Sequence, residues 1–288
     1  MLILYELALS PFVQKVKIGL REKGVDFEAR DCFDPVHKAN FEQGNPRREV
    51  PLLIDGDTRI SDSTIILDYA DERWPDHPLL PKNPADRAEV RLIEEMADTR
   101  LEALNYCIAE VMSIPVGADE AVEQVIANSK AEIAHLHDEL SVRLGEGPFF
   151  GGTEPNRADI SLIPIINGSR AMKNGPTSGA LADWLDRMVS RPSVSDTISE
   201  VKAGMGAFRD LMARVKSGAE KRQIRDHRLD WLIRAASISS TSDLKLGTSV
   251  SQPNSLTDQG GRAASVCTAR VKSDQRVLFP RKMVVLSH

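Results

Sequence analysis

Ser10 stands directly before Pro11, and the pair marks the first point in the chain where chemistry could be concentrated. A serine N-cap followed by proline at the first helical position is a common helix start, because the side-chain oxygen accepts from a free backbone N–H. The same position gathers unpaired N–H groups and the positive end of the helix dipole, where an anion, a thiolate included, is stabilised. Lowering a thiol from about 8.5 by two units takes about 2.7 kcal/mol, which a hydroxyl hydrogen bond and a helix terminus together can supply. Val50-Pro51 also reads two ways. It is either a proline opening an edge strand or a cis bond that turns the Val50 backbone outward to pair with a peptide-like ligand. Asp62-Ser63 is either a plain helix start or a carboxylate-binding helix N-terminus with Asp62 available for an ammonium group.

The elements that must position these residues follow from the flanking pattern. Leu2 to Tyr5 is a short apolar run of strand type, and Phe12, Val16, Ile18 and Leu20 before Gly24 predict a helix. Val25 to Cys32 reads as a second strand, and Asp34 to Gly44 as a polar, irregular stretch with one helical turn. Val50 to Ile54 and Thr58 to Ile60 are joined by Asp55-Gly56-Asp57, a hairpin signal. A helix with Ile65, Ile66, Tyr69 and Trp74 on its apolar side follows Asp62-Ser63. The order βαβ then ββα predicts an α/β thioredoxin-like domain over residues 1–75.

Pro75, Pro78, Pro81 and Pro84 mark a linker at 76–84, and an all-helical domain is expected over 85–236. Its helical patterns run from Ala85 to Ile114, from Asp119 to Leu144 and from Asn156 onward. Asn156 and Asp159 form a capping pair, Leu181, Trp184, Leu185 and Met188 a further apolar stripe, and Glu220 to Arg234 a last amphipathic piece. Beyond Ala236 the periodicity fails, so residues 237–288 read as a disordered extension.

Composition excludes several classes. No stretch of about 18 apolar residues suggests a membrane span, and the first residues lack the basic region of a signal peptide. Three widely spaced cysteines, Cys32, Cys107 and Cys267, fit a reducing cytoplasm better than a disulfide framework. Nothing near His135 and His137 completes a metal-ligand set, so no metal is expected. The net charge is −5, and residues 237–288 carry 7 Lys+Arg against 3 Asp+Glu, leaving 30 against 39 for residues 1–236. An acidic body is a poor partner for nucleic acid. The basic tail is a binding arm or a solvated segment.

Together these motifs resemble the glutathione transferase superfamily over roughly residues 1–235. The matching stretches are Ser10-Pro11-Phe12, Asn45-Pro46-x-x-x-Val50-Pro51-Leu52-Leu53 and Asp62-Ser63-x-x-Ile66-x-x-Tyr69. Further along come Phe150-Gly151-Gly152, Asn156-x-Ala158-Asp159-Ile160, and Trp184-x-x-Arg187 before Arg191-Pro192. The pattern is of serine type and bacterial-like, with a tau- or theta-like Ser-Pro-Phe motif; it lacks the cysteine of omega-type members and the Ser-Ser-Cys of zeta-type members. The resemblance implies glutathione as co-substrate, its thiolate held by Ser10 and attacking a small hydrophobic electrophile. It further implies glutathione contacts from Phe12, Val50, Pro51, Asp62 and Ser63, with His37 or Lys38 facing the glycine carboxylate. Tyr106 and Met112 are candidates for the electrophile side, Tyr5 is a structural strand residue, and a homodimer is expected. Glu49, beside Arg48, adds negative charge where an anionic tripeptide should dock. The alternative is a non-catalytic binding or assembly module of the same fold.

Overall fold

The computed structural model describes residues 1–45, 47–113 and 119–219. The predicted piece Glu220 to Arg234 and the tail 237–288 lie outside the described residues.

The first domain is built from β1 (Leu2–Glu6), α1 (Pro11–Glu22), β2 (Glu28–Asp31), α2 (Pro35–Gly44), β3 (Leu52–Asp55), β4 (Thr58–Ser61) and α3 (Ser63–Arg73). Its four strands lie in the order β2-β1-β3-β4, with β1 and β2 parallel and the other neighbours antiparallel. This is the expected thioredoxin-like arrangement. β2 is shorter than the predicted strand, because the Val25 N–H bonds the Leu20 carbonyl at 2.9 Å and rounds off the end of α1 instead. The segment expected to be irregular is the ten-residue helix α2. Asp34 caps it, accepting from the Val36 N–H at 2.9 Å, and Pro35 opens it, which is the same start signal as at Ser10. Phe41 anchors α2 to the sheet, its ring 5.6 Å from that of the buried Tyr5. Gly19 lets α1 press against α3: a Cβ there would meet Leu67 at 2.5 Å.

The second domain holds α4 (Pro84–Met96), a π turn (Ala97–Leu101), α5 (Glu102–Ser113), α6 (Asp119–Leu144), α7 (Arg157–Ala171), α8 (Ala180–Ser190) and α9 (Pro192–Lys216). The helix expected from Ala85 is thus present as one helical run from α4 through α5, in which the turn Ala97–Leu101 is π rather than α. Helix α9 lies within the expected helical domain without being among its expected elements; Pro192, which follows the apolar stripe of α8, is its first residue. The capping pair is present as a reciprocal box. Asn156 Oδ1 accepts from the Ala158 N–H at 2.7 Å, and Asp159 Oδ2 from the Asn156 N–H at 2.8 Å. Asp159 Oδ1 also accepts from the fully buried Trp184 indole at 2.7 Å and from the Phe150 N–H at 3.0 Å, tying α7 to α8. Replacing Asn156 by Ala should lower stability by about 1 kcal/mol, seen as a lower denaturant midpoint at unchanged slope.

The two domains meet through buried charge as well as apolar packing. Helix α1 presents Lys15, Lys17 and Arg21, and these reach Glu94, Asp98 and Glu200 of the helical domain. Glu22 on the same helix accepts from Arg191 at 2.8 and 2.9 Å. In the opposite sense, the wholly buried Arg157 of α7 faces Asp68 and Asp71 of α3 at 3.0 and 3.5 Å.

Candidate active site

The register of the sheet decides what comes together. Leu52 pairs with Tyr5 on one side and with Ser61 on the other. The end of β1, the start of β3 and the end of β4 therefore share one edge. Glu6 pairs with Asp31, so the end of parallel β2 arrives there too. Out of that edge come the N-termini of α1, α2 and α3 and the Val50-Pro51 step into β3. Ser10, Phe12, His37, Lys38, Val50, Pro51, Asp62 and Ser63 are all carried to it.

Ser10 is the N-cap of α1, half-buried, its Oγ accepting from the Val13 N–H at 3.4 Å. That is near the limit for such a bond, and accepting leaves the hydroxyl proton available for donation. The loop behind it is pinned by Gln14, whose amide donates to the Ala8 and Leu9 carbonyls at 3.3 Å. Phe12 sits half-exposed in the first turn. The Val50-Pro51 bond is cis, and Val50 lies before the β3 ladder, which begins at Leu52.

Asp62 is the N-cap of α3, exposed, its Oδ1 accepting from the Thr64 and Ile65 N–H groups at 2.9 and 3.3 Å. Its φ of 81° is in the left-handed region, which costs a non-glycine residue about 1–3 kcal/mol and is found mainly at functional positions. Ser63 follows at the first helical position and is buried. His37 and Lys38 lie in the first turn of α2. Arg30 holds the Glu28 carboxyl below its usual range, and His37 adds a smaller pull in the same direction. The charge of Glu49 is met by Arg47, whose guanidinium is 2.9 Å from its Oε2.

Beneath this edge lies a cluster that the sequence pattern does not reveal. Lys15 Nζ, 1% exposed, reaches Glu94 Oε1 at 2.7 Å, Asp98 Oδ2 at 2.5 Å and Thr64 Oγ1 at 3.0 Å. Thr64 belongs to the first turn of α3, so the cluster braces the helix start that carries Asp62 and Ser63. Arg157 adds a bond from Nη1 to the Thr64 carbonyl at 3.3 Å. A lysine on each side of Val16 is the one local sign, and it reads as a solvated face. Tyr106 and Met112 lie apart on α5 and are 54% and 67% exposed, so neither is a core residue. Asn156, half-buried, and Asp159, buried, cap the start of α7. Among the described residues no group of side chains could hold a metal ion, and no helix is long and apolar enough to cross a membrane.

A family model for the glutathione S-transferase N-terminal domain matches residues 4–78. The chain is 32% identical over 200 residues to glutathione S-transferase U28 of Arabidopsis thaliana, covering 66% of this chain and 85% of that one. It is 40% identical over 171 residues to a glutathione S-transferase of wheat, Triticum aestivum, covering 58% and 78%. Among solved structures it is similar to the tau class glutathione S-transferase of mango, Mangifera indica, with a TM-score of 0.62 and 25% identity over 73% of this chain and 98% of that one. A rice glutathione S-transferase solved in complex with glutathione superposes with a TM-score of 0.58 at 25% identity over the same shares. A thioredoxin-like sheet packed with a helical domain, joined to relatives that match along most of their length, leaves one assignment: the chain belongs to the glutathione S-transferase superfamily.

Proposed function

We propose that the protein is a serine-type, tau-like glutathione transferase that adds the glutathione thiolate to a small hydrophobic electrophile. The observation that carries this is the convergence of three anchor points on one sheet edge. Each matches one part of an extended γ-glutamyl tripeptide. The N-terminus of α3 at Asp62-Ser63 suits the γ-glutamyl end: the helix start takes the carboxylate and the Asp62 carboxyl takes the ammonium group. The Val50 backbone, outside the ladder, pairs with the cysteinyl unit as an added strand would, with Pro51 fixing the turn beside it. His37 and Lys38 attract the glycine carboxylate. The sulfur then lies against Ser10 and Phe12 at the start of α1, where the hydroxyl proton and the free N–H groups stabilise the thiolate. Attack on the electrophile forms the carbon–sulfur bond and releases a leaving group or completes an addition.

The second substrate enters from the helical side, where Tyr106 lies on α5 and Met112 further along it. Pairing of Glu49 with Arg47 removes the charge that would otherwise repel the tripeptide. We read the exposed Ile65 and Leu92, each 56% accessible, as part of a homodimer contact between the first domain of one subunit and the helical domain of the other. The setting is the cytoplasm, where glutathione is abundant and thiols stay reduced. The test is turnover of glutathione with 1-chloro-2,4-dinitrobenzene, together with binding of glutathione measured by calorimetry. Binding without turnover of any electrophile would favour the non-catalytic module instead.

A further inference from the structure

The sequence holds two Asn-Gly pairs, Asn167-Gly168 and Asn174-Gly175, and the fold treats them differently. Asn167-Gly168 lies inside α7, where the Gly168 N–H is committed to the helical ladder and Asn167 Oδ1 accepts from Arg170 at 2.9 Å. Asn174-Gly175 lies in the connection between α7 and α8, just past the end of α7. That end is a Schellman cap. Lys173 takes a left-handed φ of 62°, and its N–H donates to the Arg170 carbonyl at 3.0 Å. The Asn174 N–H donates to the Ser169 carbonyl at 2.8 Å. The cap uses the N–H groups as far as Asn174 and stops there. The Gly175 N–H donates to no group among the described residues. Pro176 follows it and disfavours the helical backbone that would recruit that N–H.

The asparagine side chain and the glycine each carry a further feature. Asn174 Nδ2 is buried and has no acceptor. A carboxamide in that state has given up its hydration without replacement, and conversion to a group with no N–H removes the loss. Gly175 rests against the main chain of Arg170: a Cβ at this position would stand 2.7 Å from Arg170 Cα and 3.0 Å from its nitrogen. Packing therefore requires glycine beside this asparagine, and glycine has no side chain to hinder attack on the neighbouring carboxamide.

We propose that Asn174 is a self-modifying site, losing ammonia through a cyclic imide, and that helix α7 protects Asn167 from the same reaction. The Gly175 nitrogen gives its proton to a solvent base and attacks Asn174 Cγ, so that a new N–Cγ bond closes a succinimide ring. The Cγ–Nδ2 bond breaks, and the nitrogen takes a proton from water and leaves as ammonia. Water then adds to one or other imide carbonyl and opens the ring, leaving an aspartyl or an isoaspartyl residue. Water is the one co-reactant, and nothing is oxidised or reduced. At Asn167 the attack requires Gly168 to leave the ladder and Asn167 to give up Arg170. The isoaspartyl product lengthens the main chain between the cap and the Gly175 contact, so both cannot be kept as they are. The inference stands independently of the transferase reading.

The experiment incubates the full chain at mildly alkaline pH, both folded and in guanidinium chloride, and follows its tryptic peptides by mass spectrometry against a zero-time digest. Cleavage after Arg157 and Arg170, and after Lys173 and Arg187, places each pair in a peptide with no other asparagine. Amide-to-acid conversion appears as a mass gain, and electron-transfer fragmentation identifies the isoaspartyl form. In the folded protein Asn174 should convert about a hundredfold faster than Asn167 or more, because amides inside a packed helix open at free energies toward that of global unfolding. In denaturant the two should convert at similar rates. Asn174→Gln, whose longer side chain closes a less favourable ring, should stay unmodified over the same period. Retention of the amide at Asn174 in the folded protein overturns the proposal, and so does equal conversion of Asn167 and Asn174 in the folded protein.

Discussion

Replacing Ser10 by Ala should raise the pKa of the enzyme-bound glutathione thiol by one to two units, about 1.4–2.7 kcal/mol of lost thiolate stabilisation. Turnover near neutral pH should fall roughly ten- to a hundredfold. Glutathione binding should weaken little, because the anchors proposed at Val50 and at Asp62-Ser63 are untouched. The geometry supports the separation of these effects. The capping bond from the Val13 N–H is long at 3.4 Å, so little helix stability depends on it. If Ser10 were only a cap, the variant would lose up to about 1 kcal/mol of stability and the thiol would titrate as before. Ultraviolet thiolate absorbance followed against pH in both proteins distinguishes the cases. Coincident titrations would rule out Ser10 as the thiolate partner and turn attention to the backbone N–H groups of the same helix start.

Replacing Arg157 by Met should be the most damaging change to stability. Its guanidinium is fully buried and faces Asp68, Asp71 and Glu94 at 3.0, 3.5 and 3.4 Å. Removing one member of a buried ion cluster leaves the others uncompensated, at a cost of about 3–5 kcal/mol. In a chain of this size that corresponds to a fall in Tm of about 10 °C. The effect also has a pH signature. Burial raises the Glu94 carboxyl, but Lys15, Arg157 and Arg91 outweigh it, and the folded-state pKa lies below the usual value. A depressed carboxylate pKa contributes stability that is present above the unfolded value of about 4.3 and is lost as pH falls through the folded value. Without Arg157 the Glu94 pKa moves up, so its share of the acid loss should begin at higher pH. Melting curves from pH 7 to pH 3 check both points. Equal stability at pH 7 would show that the acids relax into solvent and that the cluster is dispensable.

Much of the first domain was legible because its signals are local. A hairpin announced by Asp55-Gly56-Asp57 and two helix starts at Ser10-Pro11 and Asp62-Ser63 depend on turn and cap chemistry that short segments decide for themselves. The same logic applied to Asp34-Pro35 would have found α2, but the polar run after it obscured its buried anchor, Phe41. Pro192 shows the converse. A proline after Arg191 is consistent with a helix end or a helix start, and only the packing of α9 on α1 decides. The π turn is a tertiary matter, since it interrupts a periodicity that continues on both sides. Least legible were Lys15, Glu94 and Arg157. Each belongs to a residue type that is ordinarily solvated, and their burial depends on charged partners far away in sequence, 63 residues for Arg157 with Glu94 and 89 for Arg157 with Asp68.

The charged contact between the domains has a consequence for how such a protein can be recombined. Greasy interfaces tolerate exchange of one half for a homologous half, because any apolar surface of similar shape will do. Here Lys15, Lys17 and Arg21 require acids at matching places on α4, the π turn and α9, while Asp68 and Asp71 require an arginine at the start of α7. A hybrid taking its first 75 residues from this chain and the remainder from a relative lacking those partners would bury several lone charges at the seam. The two halves are therefore matched to each other, and change in one constrains change in the other.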